Sequence, residues 1–298
     1  MTRPATTTTT TIELEANGIR FHALSAGEGP LVLCIHGFPD NALTFRHQVA
    51  ALVAAGHRVV APYTRGYAPT SPSPQGHYQT AWLGRDIVAL ADLLQPEEPV
   101  VVFGHDWGAL AAYAAALHAP HRIRRLVTAG VPYGPAMQTA FLTNYAQQKR
   151  SWYVFFFQTM LAEGAVAHDD FAFIRGLWRD WSPNWKFTEE DIGPVIETLG
   201  KPGVLEAAIG YYRCLFDPSR LDPALMDEQM RMGAAPIEVP TLYFHGTACG
   251  CMGVELVEGM EASFPRGLEK VLVEGAGHFV HCERPDVVTP RIVDFIGK

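Results

Sequence analysis

The sequence predicts an α/β protein, with a mostly parallel central sheet covered by helices on both faces and a helical insertion in the second half. Three observations carry this. Short apolar, β-branched runs alternate with amphipathic segments from residue 31 to residue 128. The alternation stops near Pro135 and resumes near Thr241. Within it, a glycine-flanked turn leads from a strand into a helix at residues 104–108. Strands separated by helix-length segments pair in parallel, because each crossover carries the chain back to the same end of the sheet.

In chain order, residues 11–16 and 19–25 read as a hairpin closed by Asn17-Gly18, a pair that tolerates the positive φ of a two-residue hairpin turn. The threonine run at 6–11 lacks the apolar stretch of a signal peptide and reads as a frayed polar leader. Residues 31–35, 58–61, 100–103 and 123–128 read as strands, and 43–55, 80–94 and 107–119 as helices. From about 135 to 233 long, aromatic-rich helical segments take over; strands return at 241–245 and 268–273, and a helix closes the chain from about 285 to 296. The expected organisation is a core in two parts, 1–134 and 234–298, with a helical cap at 135–233. Aromatic residues crowd between Phe141 and Phe187, Trp152, Trp178, Trp181 and Trp185 among them. Most of them supply the cap's own core, and so dense a set also suits the roof of an apolar pocket.

Composition removes several classes of function. A net charge of -8 without a Lys/Arg cluster opposes nucleic-acid binding. No run approaches the roughly 18 apolar residues of a membrane span. The five cysteines are odd in number and scattered, unlike a disulfide framework, and fit reduced thiols in a cytoplasm. Cys249 and Cys251 are too close for a usual zinc pair and no second pair stands at finger spacing, so neither a metal nor another cofactor is expected.

The chemistry concentrates at Gly104-His105-Asp106-Trp107-Gly108, between the strand ending at Phe103 and a small-residue helix. Flanking glycines allow the sharp strand-to-helix turn that presents a nucleophile at the top of a sheet. Asp106 could instead cap the helix, but a cap would not call for both glycines. A carboxylate attacking an ester carbonyl makes a reactive anhydride, whereas attack on a saturated carbon makes an ordinary ester on the enzyme. The substrate should therefore carry an electrophilic sp3 carbon with a leaving group. Releasing the product then requires a base to activate water and an oxyanion hole at the ester carbonyl. Among twelve histidines, His278 is the candidate base, because it sits in a glycine-rich loop after the last strand, downstream of the nucleophile. The backbone N–H of Trp107, which follows the nucleophile, and that of Phe38, in the His36-Gly37-Phe38-Pro39 turn, are the candidate oxyanion donors.

Taken together, His36-Gly-Phe-Pro39, Arg65-Gly66-Tyr67, Gly104-His-Asp-Trp-Gly108 and Gly277-His278-Phe279 with Glu283-Arg-Pro285 resemble the epoxide hydrolases of the α/β-hydrolase fold, from about Ile12 to the C-terminus. The resemblance implies a small apolar epoxide and water as substrates, and two cap tyrosines that donate to the oxirane oxygen. Ser151-Trp152-Tyr153 and Tyr211-Tyr212-Arg213 look like the two segments concerned, which implicates Tyr153 and Tyr212 and leaves Tyr211 as a packing residue. A phenol near its reference pKa of about 10 is a neutral donor at pH 7.

Haloalkane and haloacetate dehalogenases share the aspartate elbow and form the alternative. Phe38 stands where many haloalkane dehalogenases carry a halide-binding asparagine, whereas Trp107 suits either activity. The resemblance also implies an acid that orients the histidine from the loop after the penultimate strand, and there the sequence has Cys249. The other placement, at 129–131, holds Ala129, Gly130 and Val131, and Glu255 is a distant substitute. A thiol is a poorer partner for an imidazolium than a carboxylate, so the ester-hydrolysis step is expected to be slow. The incomplete triad also keeps open a third reading, a degenerate hydrolase-fold protein that binds a ligand without turning it over.

Overall fold

A computed structural model describes residues 8–297 of the chain. Eight strands form one sheet: β1 (Thr10–Ala16), β2 (Ile19–Ala26), β3 (Leu31–Ile35), β4 (Arg58–Pro62), β5 (Val100–His105), β6 (Ile123–Ala129), β7 (Thr241–Gly246) and β8 (Leu268–Val273). Their spatial order is β1-β2-β4-β3-β5-β6-β7-β8. The β1/β2 hairpin and the β2/β4 pair are antiparallel, and every later pair is parallel. Asn17 and Gly18 take φ of 49 and 71 at the hairpin turn, as their residue types require. The leader expected at 6–11 has its first two residues outside the described chain, and its last two, Thr10 and Thr11, pair in β1 with Ser25 and Leu24.

β3 and β5 are buried along their whole length, as strands covered on both faces must be, and this explains their unbroken apolar sequence. The covering helices are α1 (Arg46–Ala54), α2 (Thr80–Leu94), α3 (Trp107–His118) and, from the far end of the chain, α12 (Pro285–Gly297). α1 is shorter than its amphipathic pattern suggested, because residues 42–45 form a separate 3-10 turn begun by Asn41, whose side chain accepts from Leu43 N–H.

Between β6 and β7 the chain forms α4 (Pro135–Thr143), α5 (Tyr145–Arg150), α6 (Trp152–Phe156), α7 (Ala162–Trp181), α8 (Glu189–Leu199), α9 (Val204–Arg213) and α10 (Met226–Arg231). α11 (Val280–Glu283) follows β8. α7 is broken at residues 168–171, where Asp169, Asp170 and Phe171 take left-handed φ of 49, 49 and 58. Short polar side chains tolerate that region; nothing in the surroundings explains Phe171. No helix among the described residues is long and apolar enough to cross a membrane.

Specific bonds seat the helical region on the sheet. Trp178 Nε1 donates to the Pro39 carbonyl at 3.0 Å, and Tyr211 Oη donates to the Arg65 carbonyl at 2.7 Å. Arg65 itself makes a bidentate pair with Asp86 of α2, at 2.8 and 2.6 Å, with both side chains almost fully buried. The Arg65-Gly66-Tyr67 segment is thus locked to α2 by its arginine and to α9 by its backbone.

Candidate active site

The loops after β3, β5, β7 and β8 meet at the carboxyl ends of the parallel strands, where this class of sheet places its sites. β5 ends at His105, and Asp106 then takes φ 55 and ψ -121 before α3 begins. That positive φ is costly for a residue with a side chain and persists only where the surroundings enforce it. A Cβ on Gly108 would collide with the Ile35 carbonyl of β3, so only glycine lets α3 leave the sheet at this angle. Asp106 makes no capping bond to its own helix. Its carboxylate turns the other way: Oδ1 accepts from the Phe38 N–H at 2.7 Å, and Oδ2 lies 3.3 Å from His278 Nε2.

His278 is completely buried, with Cys249 Sγ 3.6 Å from its Nδ1. Its backbone N–H donates to both the Trp181 carbonyl and Ser182 Oγ, each at 3.0 Å. Ser182 Oγ donates to Glu283 Oε1 at 2.7 Å, while Glu283 Oε2 accepts from the Gly277 N–H at 2.8 Å. The histidine loop is therefore pinned by the end of α7 and by a glutamate of α11. Burial alone would depress the imidazole, but the negative charge available at Cys251 and the hydrogen bond to Asp106 raise it well above 6.5.

Glu255 is excluded as the orienting acid by its position, since its Oε1 accepts from Arg150 and Asn144 at the half-exposed edge of the helical region. Gly130 does reach the histidine: a Cβ there would stand 3.2 Å from His278 Nδ1. Having no side chain, it leaves that nitrogen to face Cys249 Sγ.

Asp106 opens into a cavity of about 270 Å³, near the small end of ligand sites, whose wall includes Leu110, Val131, Met137, Phe141, Val154, Leu215 and Met232. Tyr153 and Tyr212 line the same cavity and are buried. Burial raises both phenols well above 10, reinforced by Cys251 for Tyr153 and by Asp106 for Tyr212. Tyr212 Oη has no hydrogen-bond partner among the described residues, and the Trp107 indole approaches it too loosely to count as one. Tyr211 packs edge-on against Trp107 and turns its hydroxyl away to Arg65.

Four participants were not singled out from the sequence. Cys251 borders the cavity, and its sulfur, an Asp106 oxygen and a ring nitrogen of His278 lie within 4.8 Å of one another. Such a set could hold a thiophilic ion, which the residue spacing alone did not suggest. Trp181 packs against the site as well as bonding to it, its ring tilted 4.9 Å from that of Tyr153 and edge-on 5.1 Å from that of His278. Ser182 and Glu283 position the loop. Glu283 had left a trace in the sequence through its place in the Glu283-Arg-Pro285 motif, and Trp181 through the aromatic run that suits a pocket roof, but neither had been given a part in holding the histidine.

A strained elbow with an aspartate, a buried histidine beyond the last strand and a backbone donor beyond β3 define a hydrolase-type site on a doubly covered sheet. The chain belongs to the alpha/beta hydrolase fold family, which matches residues 30–285. Among its relatives, it is 31% identical over 326 residues to "Epoxide hydrolase 3" of Siraitia grosvenorii, covering 96% of this chain and 98% of the relative. It is 28% identical over 289 residues to "AB hydrolase superfamily protein YfhM" of Bacillus subtilis, covering 95% of this chain and 96% of the relative. Among solved structures it superimposes on epoxide hydrolase A from Mycobacterium thermoresistibile with a TM-score of 0.82 and 28% identity, covering 97% of this chain and 98% of that one.

Proposed function

We propose that the protein is an epoxide hydrolase that works through an ester on Asp106. The observation that carries this reading is the pairing, in one apolar cavity, of a buried carboxylate with two buried phenols, one of which has no internal partner. An epoxide needs a proton donor for the alkoxide released on ring opening, and a halide does not. Asp106 Oδ2 attacks an oxirane carbon while Tyr153 and Tyr212 hold the oxygen. Oδ1 becomes the ester carbonyl oxygen and is already held by the Phe38 N–H, with the Trp107 N–H as second donor. Esterification removes the carboxylate charge next to His278, so the imidazolium gives its proton to the phenol that protonated the alkoxide, and the neutral imidazole then takes one from water. That water attacks the ester carbonyl and releases a vicinal diol. With Cys249 in place of a carboxylate at Nδ1, this second step is the slow one. The helical region, residues 135–233, acts as the cap that supplies both tyrosines and closes the cavity over Asp106.

The test is to incubate the protein with styrene oxide and, separately, with haloalkanes or haloacetates, and to assay diol and halide. Diol from the epoxide supports the proposal. Halide without diol makes the protein a dehalogenase, and tight reversible binding without turnover makes it a binding protein.

A further inference from the structure

The reaction above gives Cys251 no part, yet its sulfur stands among the reacting groups. Sγ is 3.4 Å from Tyr153 Oη and within 4.8 Å of both an Asp106 oxygen and a ring nitrogen of His278. It borders the cavity that Asp106 faces. Cys249, by contrast, sits at Nδ1 of the imidazole and does not line that cavity. Cys34 lies inside β3, and Cys282 donates to the Thr44 carbonyl at 3.3 Å. A second feature of the same wall points to a ligand beside this sulfur: the buried, unpartnered hydroxyl of Tyr212. The cavity thus presents two nucleophilic atoms, a carboxylate oxygen and a sulfur, to one electrophilic carbon held by one pair of phenols.

We propose that Cys251 is a second nucleophile of this cavity, one that epoxide substrates alkylate irreversibly, so that the enzyme inactivates itself in the course of turnover. The proposal rests on the reading of the cavity as an epoxide site. In this side reaction, which runs through the minority of molecules whose His278 is neutral, the imidazole takes the thiol proton, the Sγ–C bond forms and the ring C–O bond breaks. The alkoxide takes a proton from Tyr212, and the imidazolium proton restores the phenol. The thiol hydrogen therefore ends on the new hydroxyl, with no oxidant, reductant or water consumed. Burial raises the Cys251 thiol while His278 opposes that shift, which makes the imidazole the acceptor on which sulfur attack depends. The two adducts have different fates. The Asp106 ester offers a carbonyl to His278-activated water, whereas a β-hydroxyalkyl thioether offers none and stays. Sulfur and carboxylate compete for the same bound epoxide, so the share of molecules lost per diol is the ratio of the two attack rates.

The whole chain is incubated with excess styrene oxide, sampled over time, treated with hydroxylamine to cleave esters, and analysed by intact mass and peptide mapping. One substrate mass that survives hydroxylamine, maps to Cys251 and grows in parallel with loss of diol production is expected, and it should be missing in Cys251→Ser and in Cys251→Ala. If diol and a hydroxylamine-labile Asp106 adduct form but no stable adduct appears at Cys251, the inference is overturned and the epoxide reading stands. If neither diol nor an Asp106 ester forms, the epoxide reading fails, and a separate arm with iodoacetamide decides for the sulfur. Labelling of Cys251 at least 10-fold faster than of the other four cysteines supports it as a nucleophile, and labelling no faster than theirs overturns it.

Discussion

Replacing Cys249 by aspartate should speed hydrolysis of the Asp106 ester while leaving its formation nearly unchanged. The present sulfur is 3.6 Å from His278 Nδ1 and accepts from the Met252 N–H at 3.4 Å. A carboxylate oxygen lies one bond further from the backbone than Sγ, which brings it toward the usual N–H···O distance of about 2.7–3.2 Å from Nδ1. The Met252 amide is then ready for the other oxygen, so the new charge is not left bare. A hydrogen bond to a charged group contributes about 1.5–3 kcal/mol. At about 1.36 kcal/mol per tenfold, realised mainly as His278 gains its proton, this gives roughly 10- to 150-fold faster hydrolysis. The ceiling is about 10⁴, the loss seen when the triad aspartate of a serine protease is neutralised. The assay is single-turnover mixing with styrene oxide, followed by quenched mass spectrometry of the elbow peptide. The ester should accumulate in the parent and decay faster in Cys249→Asp. An ester that decays at the same rate in both proteins, with circular dichroism unchanged, would refute the assignment of position 249 as the partner of the base.

Other outcomes follow from the same geometry. Tyr153→Phe and Tyr212→Phe should each slow ester formation, within the 10²–10⁴-fold or so typical of general acids, and the double variant should nearly abolish it; pre-steady-state ester formation reads this, and a double variant at parent rate would make both packing residues. Asp86→Ala strands the buried Arg65 guanidinium and should cost about 3–5 kcal/mol in urea denaturation. Asp40 is 2% exposed and burial pushes its carboxyl up to about 7, with one oxygen unpartnered near His105 and His281. Its folded value exceeds the unfolded 3.8, so between these pH values the folded state holds more protons and stability falls as pH rises. Asp40→Asn, which mimics the protonated acid, should therefore raise Tm at pH 8, by an amount equivalent to at most about 4 kcal/mol, and change it little at pH 4; an equal effect at both pH values would refute the titration.

How much of this was written in the sequence depends on the range of the interactions. The apolar alternation gave the strands to within a residue or two, because burial on both faces demands it locally. Gly104 to Gly108 gave the elbow, because a positive φ at Asp106 and the close approach of α3 to β3 each leave a residue-level mark. The meeting of His278, Phe38 and Cys249 around that elbow also followed from chain order, since loops at the carboxyl ends of parallel strands converge. The break in α7 had no such mark, as neither glycine nor proline stands at 168–171.

What the sequence determined by itself, then, was the fold class, the aspartate at the elbow and the cysteine at position 249, each fixed by a few residues in one segment or by their order. The tertiary structure alone decided that Cys251 rather than Cys249 faces the cavity, that Tyr212 Oη has no hydrogen-bond partner among the described residues, and that Trp181, Ser182 and Glu283 hold the histidine loop. Those facts depend on how α7 and α9 sit over the sheet. Their seating is set by many weak contacts between residues far apart in the chain, such as Trp178 on Pro39 and Trp181 on His278, and no short pattern along the sequence encodes such a sum.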